Sequence, residues 1–113
     1  AANSLQVEVI EYGVSNALEI SFEITIFRIV QELVTNIIKH AAATKATINL
    51  SQFDKNLSII IEDNGIGFDQ TTITTEKGIG MASIQKRITH LEGTFTLDST
   101  VGKGTSILID IPL

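Results

Sequence analysis

The chain has 113 residues, with 8 Lys and Arg against 13 Asp and Glu for a net charge of −5, 43% hydrophobic and 19% charged residues, and no cysteine. One domain of about this length buries roughly two-thirds of its unfolded surface, and its apolar content is too high for a disordered chain, so a packed core is expected. The lack of thiols excludes a disulfide framework or thiolate metal centre, the acidic balance argues against nucleic acid, and the longest aliphatic run, Ile59-Ile60-Ile61, falls far short of the ~18 residues that cross a bilayer.

In chain order, Leu5 to Tyr12 alternates apolar and polar side chains over its first five positions, the period of a half-buried strand, and Gly13 ends it. From Ser21, placed as an N-cap, to about Ala42 runs a stretch without Gly or Pro that is too long for a strand. At about 100° per residue, Phe22, Ile26, Ile29, Leu33 and Ile37 fall within about 80° of one another, which predicts a helix with one buried stripe. Its many β-branched residues weaken helix propensity, a small penalty that the sustained helical period outweighs.

Lys45 to Phe53 alternates again, Asp54-Lys55-Asn56 supplies turn chemistry, and Leu57 to Glu62 is apolar and β-branched; together they read as a hairpin. Asn64 to Lys77 is rich in Gly and Thr, has no period and is longer than most connections, which marks it as functional or mobile and makes it the candidate lid. Gly80 to Glu92 carries Met81, Ile84, Ile88 and Leu91 at helical spacing, with Gly93 as the C′ residue that closes the helix. Thr94 to Leu97, a Gly102-Lys103-Gly104 turn and Thr105 to Ile111 make a last strand pair. This order predicts an α+β fold, a mostly antiparallel sheet of about five strands with helices packed on one face.

Four clusters could carry chemistry. On the first helix Glu32, Asn36 and Lys39 lie along one edge of the apolar stripe rather than opposite it, as the rim of a groove or as the polar edge of an ordinary amphipathic helix. Asp63-Asn64-Gly65-Ile66-Gly67-Phe68 follows a buried strand: Gly65 and Gly67 allow close backbone approach and the Asp63 carboxylate can accept from an exocyclic amine, although a flexible turn has the same composition. Lys77-Gly78-Ile79-Gly80-Met81 opens the second helix, whose free N–H groups and positive dipole end favour a phosphate. Gly102-Lys103-Gly104-Thr105 is by itself a hairpin turn. The two histidines, His40 and His90, are too few for a structural zinc site, and His90 is placed to cap the carboxyl end of the second helix.

Taken in order, Glu-x-x-x-Asn-x-x-Lys-His on a helix, Asp-x-Gly-x-Gly after a strand, Gly-x-Gly at a helix start and Gly-x-Gly-Thr at a final hairpin resemble the GHKL superfamily of ATP-binding domains: gyrase, heat-shock chaperone, histidine kinase and mismatch-repair ATPases. The resemblance runs over nearly the whole chain. Lys39-His40 stands where gyrase-like and chaperone members carry an acidic residue, and the stretch from Glu32 to Ala41 is similar to the N box of bacterial sensor histidine kinases that work with NarL/LuxR-type response regulators.

The resemblance implies a two-layer α/β sandwich and a role for each position. Asp63 would bind the adenine amino group with Thr105 in support, and Gly65 and Gly67 would shape the base pocket. Asn36 would ligate Mg²⁺, Lys39 would face phosphate, and Gly78, Gly80 and Met81 would offer it the helix N-terminus. Glu32 would sit by the γ-phosphate, orienting or deprotonating the phosphoacceptor. His40 falls within the apolar stripe, so it is either a packed histidine or a nucleotide contact.

Ala1 in place of Met, with no leader segment behind it, reads as residues 1–113 of a longer protein. The resemblance makes that protein a homodimeric, cytoplasm-facing kinase whose phosphoacceptor histidine stands on a separate dimerisation domain, so this domain would bind ATP without phosphorylating itself. An anti-sigma-factor-like kinase or a regulatory binding module on the same fold is the alternative.

Overall fold

A computed structural model describes residues 5–13, 20–40, 42–67 and 81–113, and the side chains of Lys39, His40, Met81 and Ala82 lie outside that description. The elements are β1 (Gln6–Tyr12), α1 (Ile20–His40), β2 (Lys45–Phe53), β3 (Asn56–Asp63), α2 (Met81–His90), β4 (Thr94–Thr100) and β5 (Gly104–Pro112). They form one five-stranded sheet in the order β1-β2-β3-β5-β4. Only β1 and β2 pair in parallel, and α1 is the crossover that such a pair requires.

Alternation fixes which face the helices cover. Ala46 and Ile48 of β2, Leu57, Ile59 and Ile61 of β3, and Ile107, Ile109 and Ile111 of β5 all point the same way and are buried. Ile26, Ile29, Leu33 and Ile37 of α1 and Ile84 and Ile88 of α2 close over them as one cluster, with Phe22 half-buried at its margin. The expected stripe is therefore the core-facing side of α1. Its opposite side leaves Ile20, Ile24, Phe27 and Ile38 exposed, and none of the described helices is long and apolar enough to cross a membrane.

Four local expectations are corrected. Ser21 lies inside α1 rather than capping it, since the helix begins at Ile20. β1 is exposed along its whole length rather than half-buried, because the core under the helices takes its strand residues from β2, β3 and β5 and none from β1. β4 continues past Leu97 to Thr100, since pairing with β5 organises Asp98, Ser99 and Thr100 despite the weak strand propensity of Asp98.

The fourth concerns the end of α2, where Glu92, not Gly93, is the left-handed C′ residue, with φ 62°. Its N–H donates to Thr89 O at 2.9 Å and that of Gly93 to Ile88 O at 2.9 Å, the paired bonds of a Schellman motif. Gly93 is needed for space instead: a β-carbon there would stand 2.7 Å from Asp110 O.

Candidate functional site

Asp63 ends β3 on the helix-covered side of the sheet, in step with Leu57, Ile59 and Ile61. Its Oδ1 accepts the Gly65 N–H at 2.8 Å, and the backbone N–H of Thr105, its partner in the β3–β5 ladder, also bonds the carboxylate. Burial is the stronger influence and holds the Asp63 carboxyl above its ordinary pKa of 3.8, with these two N–H groups pulling the other way. A half-buried acceptor with two backbone donors fixing its orientation is suited to reading an N–H group of a ligand.

The Gly-x-Gly-Thr hairpin is part of this same site. Gly102 N–H donates to Ile66 O at 2.7 Å, which ties the β4–β5 turn to the loop after Asp63. Gly67, at φ 63°, sits where a β-carbon would lie 2.1 Å from Thr100 O. Thr105 Oγ1 lies 2.8 Å from the buried Ser99 Oγ, which also reaches Gly104 O at 3.2 Å. With Ser99's single hydroxyl proton given to that carbonyl, Thr105 supplies the proton of the pair and keeps its lone pairs for a ligand.

Asn64 has a different task from its neighbours. Its Oδ1 accepts the N–H groups of Thr44 and Lys45 at 3.0 and 2.9 Å, and its Nδ2 donates to Thr44 Oγ1. These bonds clamp the entrance of β2 to the exit of β3. Since Thr44 follows closely on His40, the last residue of α1, the final turn of α1 lies at the Asp63 end of the sheet. Asn36 is one turn before that end and is half-buried.

Glu32, one turn earlier on the same edge, accepts a charged hydrogen bond on Oε2 from Arg87 Nη2 of α2 at 2.5 Å. The structure thus brings Asp63, Gly65, Gly67 and Thr105 together at the end of the sheet and sets Glu32 and Asn36 along α1. Gly78 and Gly80, and the side chains of Lys39, His40 and Met81, lie outside the described residues.

The sequence reading missed Arg87 and Ser99. The alternation Phe95, Leu97, Ser99 could have shown that Ser99 faces inward, whereas no pattern in α2 reveals that Arg87 meets α1. A recess of about 200 Å³ adjoins this site at the same end of the sheet, where Asp63, Gly104 and Thr105 line it together with Glu62, Asp98, Thr100, Lys103 and Ser106.

Residues 21–113 match the family model for histidine kinase-, DNA gyrase B- and HSP90-like ATPases. The chain is 37% identical over 94 residues to the signal transduction histidine-protein kinase/phosphatase DegS of Bacillus subtilis, covering 81% of this chain and 24% of DegS. It is 32% identical over 98 residues to the sensor histidine kinase ComP of the same organism, covering 86% of this chain and 13% of ComP. It therefore spans about a quarter or less of the length of these relatives. Among solved structures, the Acinetobacter baumannii histidine kinase AdeS superposes with a TM-score of 0.78 at 22% identity, over 97% of this chain and 55% of that one. The match over most of its length places this chain in the histidine kinase-, DNA gyrase B- and HSP90-like ATPase family.

Proposed function

We propose that this chain is the ATP- and Mg²⁺-binding catalytic domain of a sensor histidine kinase, one that passes the γ-phosphoryl group of ATP to a histidine on a separate dimerisation domain of the same homodimeric protein and thence to a NarL/LuxR-type response regulator. The observation that carries this reading is the Asp63 carboxylate, half-buried at a strand end and oriented by the Gly65 and Thr105 N–H groups. The kinase names of the relatives support the choice within the family.

In this reading Asp63 accepts the adenine amino group, with the Thr105 hydroxyl beside it and Gly65 and Gly67 leaving room for the ring. Asn36 fits magnesium, which takes one or two protein oxygens and leaves its other positions to water and phosphates, and the ion when bound neutralises the triphosphate. Lys39 and the Gly78–Met81 helix start are assigned to the phosphates.

An acceptor imidazole nitrogen attacks the γ-phosphorus, the bond to the β,γ-bridging oxygen breaks, and ADP leaves with that electron pair. Glu32 orients the imidazole through its other ring N–H and takes up that proton as the N–P bond forms. Little else is asked of the protein, since phosphoryl transfer depends mainly on positioning and charge neutralisation.

Calorimetry tests the binding half. ATP or ADP with Mg²⁺ is expected to bind at roughly 1–100 μM, about −7 to −5.5 kcal/mol. Absence of heat at millimolar nucleotide would refute it, leaving a binding module that uses the fold for association alone.

A further inference from the structure

Glu32 and Arg87 make the one ion pair among the described residues, and it joins the two helices. Each end rests on a fixed frame: Ile29 and Leu33 on α1, and Ile84 and Ile88 on α2, are fully buried beside the pair. The side chains themselves are 47% and 34% exposed, so the pair adds little to stability, as surface ion pairs do. Its effect is on direction. Arg87 holds only Oε2, while Oε1 has no partner among the described residues. A carboxylate with one oxygen tethered and the other open has fewer orientations open to it and still has a lone pair for an N–H donor.

We infer that Arg87 is a positioning residue for phosphoryl transfer: by tethering Oε2 of Glu32 it aims Oε1 at the N–H of the acceptor imidazole. This rests on the proposed role of Glu32 as the group that orients the acceptor. Arg87 itself touches neither nucleotide nor acceptor in this scheme. Its loss should therefore slow the chemical step and leave nucleotide binding alone, since misaimed catalytic groups cost rate rather than affinity.

The test measures single-turnover transfer from ATP to a histidine-bearing helical hairpin mixed with this chain, alongside calorimetric ATP affinity. Arg87→Ala should reduce the transfer rate about tenfold while the ATP affinity stays within about twofold, and Arg87→Lys, which keeps a cation on a flexible stem, should recover most of the rate. The double variant Glu32→Gln with Arg87→Ala should be no slower than Glu32→Gln alone, because Arg87 acts only through Glu32.

Multiplying effects in the double variant, or equal loss of rate and affinity in Arg87→Ala, would overturn the inference. So would unchanged transfer in Arg87→Ala where Glu32→Gln is slow. If instead Glu32→Gln transfers at the normal rate, or the unsubstituted chain transfers nothing, the role given to Glu32 fails and the inference falls with it. Should Arg87→Ala melt early, Arg87→Met and Arg87→Lys are compared in its place: equal rates for the two would count against the inference, and a faster Lys variant for it.

Discussion

A β-carbon placed on Gly104 would stand 2.1 Å from the carbonyl oxygen of Asp63, so the turn between β4 and β5 and the strand that ends in the candidate adenine acceptor touch backbone to backbone. Gly104 also has φ 88°, a conformation that L side chains rarely adopt. Gly102 has a similar φ of 82° but nothing within 4 Å of its would-be β-carbon. Gly104→Ala should therefore cost about 3 kcal/mol or more, the sum of strain and overlap, and Gly102→Ala only about 1 kcal/mol. Urea unfolding of the two variants checks this, and equal losses would show that the close approach is not rigid.

The contrast shows why part of this site was legible and part was not. Asp63, Gly65 and Gly67 stand at alternate positions of one short segment, so a local pattern finds them. That Gly102 to Thr105 completes the same site depends on the β3–β5 register, which sets Thr105 opposite Asp63 although it stands 42 positions further along the chain. The buried stripe of α1 was readable because helical period and burial coincide in one segment. Glu92 as the left-handed residue was not, because composition points to Gly93, whereas the packing of Gly93 against Asp110 decides which residue takes the positive φ. Arg87 meeting Glu32 is a contact between two helices, fixed by tertiary packing alone.

Asp63→Asn or Asp63→Ala should weaken adenine nucleotides by about 1–3 kcal/mol, the cost of removing a charged acceptor from a half-buried donor–acceptor pair, with the fold intact. Calorimetry with ATP and with inorganic triphosphate separates the contributions. An equal loss for both ligands would show that Asp63 does not read the base.

The same residue makes a prediction about stability. Burial raises the Asp63 carboxyl above 3.8 in the folded chain, so between that value and its folded pKa the folded state holds more protons than the unfolded one. Stability therefore falls as pH rises through the window just above 3.8, and its contribution is fullest below it. Asp63→Asn cannot titrate and should lack this component, so the difference in unfolding free energy between it and the unsubstituted chain should shift in its favour with rising pH. A difference that stays constant across the window would refute the assignment.

Asn36→Ala should abolish the magnesium dependence of nucleotide binding while leaving the metal-free affinity near its starting value, since the side chain is assigned to the ion and not to the base. Titrations of ATP with and without Mg²⁺ check this. An unchanged metal effect would show that Asn36 is not the ligand.

The last prediction follows from where the two histidines stand relative to Glu32. A carboxylate acts on an acceptor nitrogen within about 3 Å of it. His40 ends α1, eight residues further along the helix that carries Glu32, or about 12 Å of axial rise, and His90 is exposed at the end of α2, beyond the Arg87 that meets Glu32. In the proposed scheme neither is assigned to accept the γ-phosphoryl group. Incubated alone with labelled ATP, the chain should bind nucleotide and incorporate no acid-labile phosphate; with a histidine-bearing helical hairpin added, it should label that hairpin. Glu32→Gln should slow the transfer by about 10²-fold, the range for a lost acid–base group, and leave ATP affinity unchanged because its carboxylate is assigned to the acceptor rather than to the nucleotide. Robust labelling of the isolated chain would overturn the division of labour proposed for it and favour a self-contained, anti-sigma-factor-like kinase on the same fold.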